Sequence, residues 1–285
     1  MDLIVVCGPT ASGKTRFSLE LAKNLNGEII CADSMQIYQY MDIGTAKPTL
    51  EEQEGVPHHL FGIVDPRENF SLADYATLAH MKIHDIQFRG RMPFLVGGTG
   101  LYIDTVVNNI KLSDASDPEL RKRLEQLTES DLYEKLNVID SKAAEKIMIN
   151  DKRRLVRALE IYEITGNTPS QQKEISNSQG KIYDPQFFGI TLPREQLYEN
   201  INLRVDQMIE RGLLDEVRTV YTRGMNKTAK QAIGYKEIIA HLNGECSLPE
   251  AIENIKTNTR RYAKRQLTWF RRNKDINWMQ IDSEG

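Results

Sequence analysis

The sequence predicts an α/β fold, a parallel sheet flanked by helices, with an inserted all-helical domain. Three apolar runs, Leu3–Cys7, Glu28–Ala32 and Pro93–Val96, have the composition of short strands that are buried on both faces. The stretch from Asp117 to Glu174 carries only helical patterns, and the alternation typical of a strand returns at Pro185–Leu192. Because strand patterns stand on both sides of the helical stretch, we expect the helices to interrupt one sheet-forming core.

Composition places the chain among ordinary globular proteins. Its 285 residues are 40% hydrophobic and 27% charged, and a typical domain of about 100–200 residues predicts one large domain or two unequal ones. Three scattered cysteines argue against a disulfide framework and a zinc site. We find neither an apolar run of membrane-spanning length nor a signal-peptide pattern, so we expect a cytoplasmic protein with no membrane partner. No long apolar surface stripe demands a second subunit, so we expect a monomer.

A phosphate-binding motif follows the first strand. Gly8–Thr15 reads G-x-x-x-x-G-K-[ST], and a helical pattern begins immediately after it. In this context backbone N–H groups and the helix dipole favour a polyphosphate, Lys14 supplies a positive charge, and the Thr15 hydroxyl is placed to bind Mg²⁺. We therefore expect a di- or triphosphate to contact Gly8, Pro9, Thr10, Ala11, Ser12, Gly13, Lys14 and Thr15.

The loops after the second and third strands carry further candidates. Asp33 follows the second strand, where the carboxyl ends of parallel strands border a ligand crevice. It is a candidate base or metal contact and equally a candidate N-cap of a following helix. The third strand ends in Gly97-Gly98-Thr99-Gly100 rather than in the acidic Mg²⁺ ligand usual in P-loop ATPases and GTPases. We therefore expect a diphosphate site without the apparatus for γ-phosphoryl transfer, and a glycine turn that offers N–H and hydroxyl donors to a ligand.

Cap signals divide the inserted stretch into helices. Asp117-Pro118 is a start signal, further helices are expected near Asp131 and Ser141, and an apolar stripe over Arg153–Thr165 ends at Gly166 as a C-cap. We expect the core to comprise residues 1–111 and 185–285 and the helical domain to comprise residues 112–184.

Basic side chains cluster in two places, although the formal net charge is −3. The 21 residues of Asn254–Lys274 hold eight basic and no acidic residues, interleaved with aromatic ones. Eight uncompensated charges predict a polyanionic partner, while Trp269 is more typical of a packing residue than of a base-stacking one. By charge alone, the second cluster, Lys152–Arg157, is better explained as a solvated face paired with Glu160 and Glu163.

Eight motifs stand in order along the chain: Gly8–Thr15, Asp33–Gln36, Gly44–Pro48, Pro57–Leu60, Gly97–Tyr102, Asn150–Glu160, Ala232–Lys236 and Lys264–Arg271. Together they resemble the tRNA dimethylallyltransferase (tRNA isopentenylpyrophosphate transferase) family over almost the whole chain. The resemblance implies a P-loop NTPase-like fold and transfer of a dimethylallyl group from dimethylallyl diphosphate to tRNA, with release of diphosphate. The acceptor would be N6 of the adenosine 3′-adjacent to the anticodon, position 37. The phosphate-binding loop would hold the diphosphate of the prenyl donor, with Mg²⁺ as cofactor.

The resemblance also implies roles for individual residues. The catalytic ones are Asp33, Lys14, Thr99 and Arg204, with Asp33 as the base that takes a proton from N6 and Arg204 reaching the donor diphosphate. The helical domain would grip the anticodon stem-loop of tRNA. The implied tRNA contacts are Asp33, Ser34, Met35, Gln36, Thr99, Arg121, Arg153, Arg154, Leu155, Val156, Arg157, Gln231, Gly234, Tyr235, Lys264, Arg265 and Arg271.

Two further pairs of residues lie in or near the motifs. Met35 and Tyr38 are candidates to line an adenine pocket and equally candidates for the apolar core. His58 and His59 are adjacent rather than four residues apart, which disfavours a two-histidine metal site. We interpret both histidines as structural.

Three other functions compete with tRNA prenylation. An adenylate isopentenyltransferase would act on free AMP, ADP or ATP, but it would need neither the helical domain nor the arginine clusters. A small-molecule P-loop kinase is disfavoured by the Gly97–Gly100 turn. A non-catalytic RNA-binding module would not need Lys14, Thr15 and Asp33 together.

Overall fold

A computed structural model describes residues 2–110, 116–178 and 180–280. Over these residues, six strands form one sheet. They are β1 (Leu3–Cys7), β2 (Gly27–Cys31), β3 (His58–His59), β4 (Met92–Gly97), β5 (Pro185–Thr191) and β6 (Ile276–Gln280). All neighbours in the order β3-β2-β4-β1-β5-β6 are parallel, and this arrangement confirms the predicted α/β class.

Twelve α-helices lie within the described residues. They are α1 (Lys14–Asn24), α2 (Leu72–Phe88), α3 (Gly100–Val107), α4 (Pro118–Glu125), α5 (Glu129–Ile139), α6 (Ser141–Ala144), α7 (Lys152–Thr165), α8 (Pro169–Ser178), α9 (Arg194–Glu210), α10 (Leu213–Arg223), α11 (Tyr235–Leu242) and α12 (Leu248–Phe270). None of these described helices is long and apolar enough to cross a membrane.

The chain folds into two compact units, Met1–Val106 with Tyr183–Gly285, and Val107–Ile182. The first unit holds the sheet, and its central strand β1 is buried at all five positions because helices cover both faces. The second unit holds α4–α8. Its own apolar core is formed by leucines of α4, α5 and α7, including Leu120, Leu132 and Leu155.

Side-chain caps explain where the helices of the second unit begin and end. The Asp117 carboxylate accepts from two backbone N–H groups of α4, and Pro118 occupies the first turn. Thr128 caps α5 three residues before Asp131, so this helix begins slightly earlier than the sequence indicates. Gly166 ends α7 with a φ of 72°, as its position in the sequence predicts.

Two strands were not predicted, and both lie at the edges of the sheet. β6 buries Ile276 but leaves most of its other side chains exposed or half-buried, so it lacks the apolar pattern of the central strands. β3 is two residues long, His58–His59. The His59 ring pairs with the buried Glu28 carboxylate at 2.7 Å, and the His58 ring contacts the Val56 carbonyl oxygen at 2.8 Å, so both rings contact neighbouring parts of the fold.

Candidate active site

A cleft with about 620 Å³ of empty space opens where β1, β2 and β4 end. The strand register explains its position, since Cys7 lies beside Gly97 and Cys31 lies beside Val96. The loops that follow these three strands therefore meet at one edge of the sheet. The predicted site residues that line the cleft are Thr10, Lys14, Thr15, Asp33, Gln36 and Arg204.

The phosphate-binding loop is shaped by a glycine and by its own carbonyl groups. Gly8 has a φ of 145°, and a Cβ there would lie 2.3 Å from the Ile190 carbonyl oxygen, so glycine is required. The buried Ser12 hydroxyl donates to the Pro9 carbonyl oxygen at 2.9 Å, and the Lys14 ammonium donates to the same oxygen. Since α1 begins at Lys14, its first N–H groups have no partner within the helix and lie beside the cleft.

Lys14 and Arg204 bring two positive charges to the cleft. Arg204, on α9, donates from Nη1 to the Thr10 hydroxyl at 3.3 Å. Among the described residues, the hydrogen bonds of both cations go to uncharged groups, the Pro9 carbonyl oxygen and the Thr10 hydroxyl. Burial lowers the pKa of Lys14 to about 8, with the Arg204 charge adding to the effect, and burial also lowers the pKa of Arg204. Two partly desolvated cations, each influenced by a carboxylate (Asp33 and Glu52) but paired directly with neither, suit this part of the cleft to a negatively charged group.

Asp33 faces the same cleft from the end of β2. Its Oδ1 accepts from the N–H groups of Met35 at 2.9 Å and Gln36 at 3.4 Å. Residues 34–37 form turns rather than a helix, so the alternative role of Asp33 as a helix N-cap is wrong. Burial raises the pKa of Asp33, although these N–H groups and the Lys14 charge oppose the rise. A half-buried carboxyl group with a raised pKa is a candidate proton acceptor.

Thr99 ties the glycine turn to the loop that carries Asp33. Its hydroxyl accepts from the Ser34 N–H at 3.1 Å, and its own N–H donates to the Ala32 carbonyl oxygen at 3.1 Å. Thr99 therefore positions the residues on either side of Asp33.

The glycines of the turn serve close packing. A Cβ on Gly97 would lie 2.1 Å from the Ala32 carbonyl oxygen, and one on Gly98 would lie 2.1 Å from the Gln266 amide nitrogen. One on Gly100 would meet the Trp269 ring at 2.2 Å. Glycine is needed at these positions because the neighbouring loop and α12 occupy the space beside them. Gly97 and Gly98 also line the cleft, and the expectation that the turn offers donors to a ligand stays a prediction.

The Gly44–Pro48 loop also borders the cleft, through Thr45, Ala46 and Pro48. Two side chains hold this loop. The Gln36 amide donates to the Thr45 and Ala46 carbonyl oxygens at 2.9 and 3.0 Å. The Glu216 carboxylate accepts three consecutive backbone N–H groups, those of residues 42–44, at 2.7–3.0 Å. The sequence motif marked the loop, but it carried no sign of Glu216, which lies more than 170 positions away.

Several residues assigned to adenine or tRNA are packing residues. Tyr38 is 1% exposed within the apolar core beside α10 and α11, while Met35 packs partly against the same cluster. Tyr235 is fully buried and donates its hydroxyl to Glu216 at 2.7 Å, and the neighbouring Gly234 is also buried. Gln231, at the end of a short 3₁₀ helix, remains exposed.

In the helical unit, burial separates the members of the basic cluster. Leu155 and Val156 are buried in the unit's own core, so their side chains are not available to tRNA. Arg153 and Arg154 are exposed on the first turn of α7. Arg154 pairs with Asp151 at 3.4 Å. Of the two partners expected from charge alone, Glu160 pairs with Arg157 of this cluster, whereas Glu163 pairs with Arg123 of α4.

Arg121 and Arg157 share one buried carboxylate in the same unit. Each donates to Glu160 Oε2 at 2.8 Å, and Glu160 is fully buried. Although burial alone would raise it, the pKa of Glu160 is lowered by the hydrogen bonds from the two arginines. Both guanidinium groups are about two-fifths exposed, so they can meet solvent while they keep this partner.

On α12 and the residues after it, six of the eight basic side chains are exposed: Arg261, Lys264, Arg265, Arg271, Arg272 and Lys274. The expectation of eight uncompensated charges is wrong for the other two, because Lys256 pairs with Asp206 at 2.6 Å and Arg260 pairs with Glu253 at 3.2 Å. Trp269 donates from its indole nitrogen to Asp104 at 2.9 Å and packs against the glycine turn, as expected of a packing residue.

Family models and known proteins match this chain over almost its whole length. A family model described as IPP transferase matches residues 36–273, and one described as isopentenyl transferase matches residues 1–60. The tRNA dimethylallyltransferase of Caldanaerobacter subterraneus is 49% identical over 99% of this chain and 92% of its own length. That of Halalkalibacterium halodurans is 50% identical, over 98% of this chain and 91% of its own length.

Solved structures of similar proteins extend the likeness to the fold. The full-length tRNA isopentenylpyrophosphate transferase of Bacillus halodurans superimposes with a TM-score of 0.75 at 48% identity, covering 99% of this chain and 92% of that one. A eukaryotic dimethylallyltransferase described as acting on tRNA superimposes with a TM-score of 0.85 at 33% identity, covering 98% of this chain and 73% of that one.

Proposed function

The chain belongs to the IPP transferase family, and from this premise we propose that it is an enzyme that transfers a dimethylallyl group from dimethylallyl diphosphate to tRNA. The acceptor is N6 of the adenosine 3′-adjacent to the anticodon, position 37, and the second product is diphosphate. The single observation that carries the proposal is the cleft, in which the cations Lys14 and Arg204 line the same space as the half-buried carboxyl group of Asp33. The full-length similarity to tRNA dimethylallyltransferases supports it.

The cationic part of the cleft binds the diphosphate of the donor. Lys14, Arg204 and the free N–H groups at the start of α1 supply charge and hydrogen-bond donors. These groups stabilise the negative charge that grows on the departing diphosphate as the allylic C–O bond breaks. A phosphate close to Lys14 raises the pKa of its ammonium and keeps the charge in place.

The residues present fit Mg²⁺ as a partner of the donor. Among the described residues, no group of three or more His, Cys, Asp or Glu side chains is placed to hold a metal. In phosphate sites, however, Mg²⁺ takes few protein ligands and completes its shell with phosphate oxygens and water. The Thr15 hydroxyl, which lines the cleft beside Lys14, suits that arrangement. When bound there, Mg²⁺ would offset charge on the leaving diphosphate.

Asp33 acts as the general base for the amino group of the acceptor. The N6 lone pair forms the new bond to C1 of the donor, the electrons of the C–O bond leave with diphosphate, and the N6 proton passes to the Asp33 carboxylate. The N–H groups that bind Oδ1 hold this carboxylate in place, and Thr99 fixes the adjoining Ser34. The target base must leave its stack to reach the cleft.

The exposed basic side chains contact the phosphates of tRNA. On α12 and directly after it, these side chains include Lys264, Arg265 and Arg271. In the helical unit they include Arg153 and Arg154. Arg121 and Arg157 join them through their exposed guanidinium edges. Buried Leu155, Val156 and Tyr235 are not included in this surface.

The test is a transfer assay with two acceptors. The chain is incubated with dimethylallyl diphosphate, Mg²⁺ and either tRNA or AMP, and the nucleosides are identified by mass. We expect prenylated adenosine from tRNA and unmodified AMP. Prenylated AMP with unmodified tRNA would replace the proposal with an adenylate isopentenyltransferase.

Asp33→Ala tests the assigned base in the same assay. We expect turnover to fall at least about 10²-fold, the contribution typical of a general base, while tRNA affinity stays nearly intact. Asp215→Ala, which removes an exposed carboxylate on α10 that pairs with Arg218, provides a control in which the base is retained. If Asp33→Ala turned over at the wild-type rate, Asp33 would not be the base.

A further inference from the structure

One buried amide on α12 joins two loops of the cleft. Gln266 is 4% exposed. Its Oε1 accepts from the Thr10 N–H at 2.9 Å, and its Nε2 donates to the Gly98 carbonyl oxygen at 2.9 Å. One partner lies in the phosphate-binding loop and the other in the glycine turn beside Thr99, so both polar atoms of this side chain are bound to backbone groups of the site.

Tyr262, one helical turn earlier on the same face of α12, extends the connection. The side chains of Thr99 and Gln266 both influence the pKa of its hydroxyl, which therefore lies close to both. Burial raises the pKa of Tyr262, so the hydroxyl stays protonated and remains a donor at neutral pH. Because Gln266 binds the Gly98 carbonyl oxygen and the adjoining Thr99 accepts from the Ser34 N–H, the connection runs from the diphosphate loop through the glycine turn to the residue next to Asp33.

The proposed reaction depends on the distance between the two loops that Gln266 joins. The loop at Thr10 belongs to the donor side, and the loop at Thr99 and Ser34 belongs to the side of the base. No ligand is needed to explain the orientation of the Gln266 amide, since its partners are backbone groups. A buried amide with both ends bound resists rotation and holds its partners at a fixed separation.

We propose that Gln266, assisted by Tyr262, is a positioning residue that sets the separation between the donor diphosphate and the Asp33 base. The proposal rests on the proposed function. It assigns to α12 a role inside the cleft in addition to the basic residues Lys264 and Arg265 that this helix exposes.

The test compares Gln266→Leu with Leu267→Ala. The first change removes both hydrogen bonds at similar size, and the second removes packing from the adjacent position of the same helix, where Leu267 packs against an apolar cluster. We expect kcat of Gln266→Leu to fall about 10- to 100-fold, as for a misplacement near 1 Å, with KM for tRNA little changed. Leu267→Ala should lower the melting temperature but keep kcat.

Two conservative variants keep the test decisive if Gln266→Leu does not fold. Tyr262→Phe removes one hydroxyl and should also lower kcat. Gln266→Glu restores both hydrogen bonds only when its carboxyl is protonated, so its kcat relative to wild type should rise as the pH falls. Wild-type kcat in Tyr262→Phe, together with a pH-independent ratio for Gln266→Glu, would overturn the proposal.

The same experiment separates this inference from the proposed function. If the wild-type chain does not prenylate tRNA, the proposed function fails before any variant is compared. If the wild type is active and the Gln266 and Tyr262 variants match it, only the positioning role fails. Binding of inorganic diphosphate with Mg²⁺, measured by calorimetry, should weaken in Gln266→Leu and not in Leu267→Ala.

Discussion

Lys14 and Asp33 are half-buried in one cleft, and their pKa values are shifted toward each other. Burial lowers the pKa of Lys14 to about 8 and raises the pKa of Asp33. They are not joined as an ion pair, since the Lys14 ammonium donates to the Pro9 carbonyl oxygen and the Asp33 carboxylate accepts backbone N–H groups. The cleft thus keeps a cation for an incoming anion and a carboxylate for an incoming proton.

These two shifts predict a bell-shaped pH profile for kcat/KM. Asp33 must be deprotonated to accept a proton, so activity rises through its pKa, which lies above that of an ordinary aspartate. Lys14 must be protonated to bind diphosphate, so activity falls above about pH 8. The test is to measure steady-state kcat/KM from acid to alkaline pH. In Asp33→Asn, the residual activity should no longer rise with pH on the acidic side of the profile. An acidic limb unchanged in Asp33→Asn would contradict the assignment.

Among the elements, the Gly44–Pro48 loop depends on a carboxylate of α10. Glu216 binds the N–H groups of residues 42–44 and also accepts from Tyr235. Glu216→Ala leaves these donors without a partner, which costs about 1–3 kcal/mol for each one that stays buried. Since the loop lines the cleft, we expect a lower melting temperature and a raised KM for the donor.

Asp215→Ala is the matched control for Glu216→Ala. Asp215 is the neighbouring residue on α10 and is largely exposed, where it pairs with Arg218 at 2.7 Å. Exposed pairs contribute about 0–1 kcal/mol, so this variant should resemble the wild type in stability and in donor KM. Equal effects of the two substitutions would show that α10, rather than the bound loop, is responsible.

The exposed charges of α12 predict strong salt dependence of tRNA binding. Binding each phosphate releases counterions, so the logarithm of affinity falls linearly with that of salt concentration. Replacing Lys264, Arg265 and Arg271 together by alanine should reduce the slope by roughly one unit for each phosphate that is no longer bound. Lys256→Ala is the control, because that ammonium is paired with Asp206. Salt titrations of tRNA binding would contradict the assignment if the triple variant kept the wild-type slope.

The sequence predicts best those elements whose pattern is local. The central strands β1, β2 and β4 are mostly apolar because both faces are largely buried, and β5 shows an alternating pattern. The caps at Asp117 and Gly166 act within one turn. Long-range partners have no such signal. Gln266 is separated by 168 residues from Gly98, and the packing role of this glycine becomes visible only when α12 lies beside it. Likewise, Asp206 neutralises Lys256 from another helix.

At the scale of the whole chain, the sheet joins segments that the inserted unit separates. β1 and β5 are neighbours, with Leu3 beside Pro185, although Val107–Ile182 intervenes in the chain. The returning segment is held by the Tyr183 hydroxyl, 2.7 Å from the His80 ring, and by the Asp184 N–H, which donates to Asp2 at 2.7 Å. The arginine that lines the cleft, Arg204, follows β5, so the site is complete only once this pairing has formed.

Stability of the whole fold should depend on Glu28, at the opposite end of β2 from the cleft. This carboxylate is 1% exposed and binds Arg89, Arg91 and His59. The hydrogen bond from Arg89 is the largest influence that lowers the pKa of Glu28 to about 2, against an ordinary value of 4.5. The folded state therefore binds its proton less readily than the unfolded chain, so the stabilisation is present above pH 4.5 and is lost as the pH falls toward 2.

Glu28→Gln should lower the free energy of unfolding at pH 7 by about 2–3 kcal/mol, because buried donors lose a charged acceptor. Thermal unfolding of the wild type and of Glu28→Gln should show that the difference between their free energies of unfolding becomes smaller as the pH falls from 4.5 toward 2. Glu54→Gln, which removes an exposed pair with Lys23, should change stability by less than about 1 kcal/mol. Since Glu28 lies away from the cleft, the folded variant should retain wild-type kcat. A gap that does not vary with pH would mean that the lost stability comes from packing rather than from the charge of Glu28.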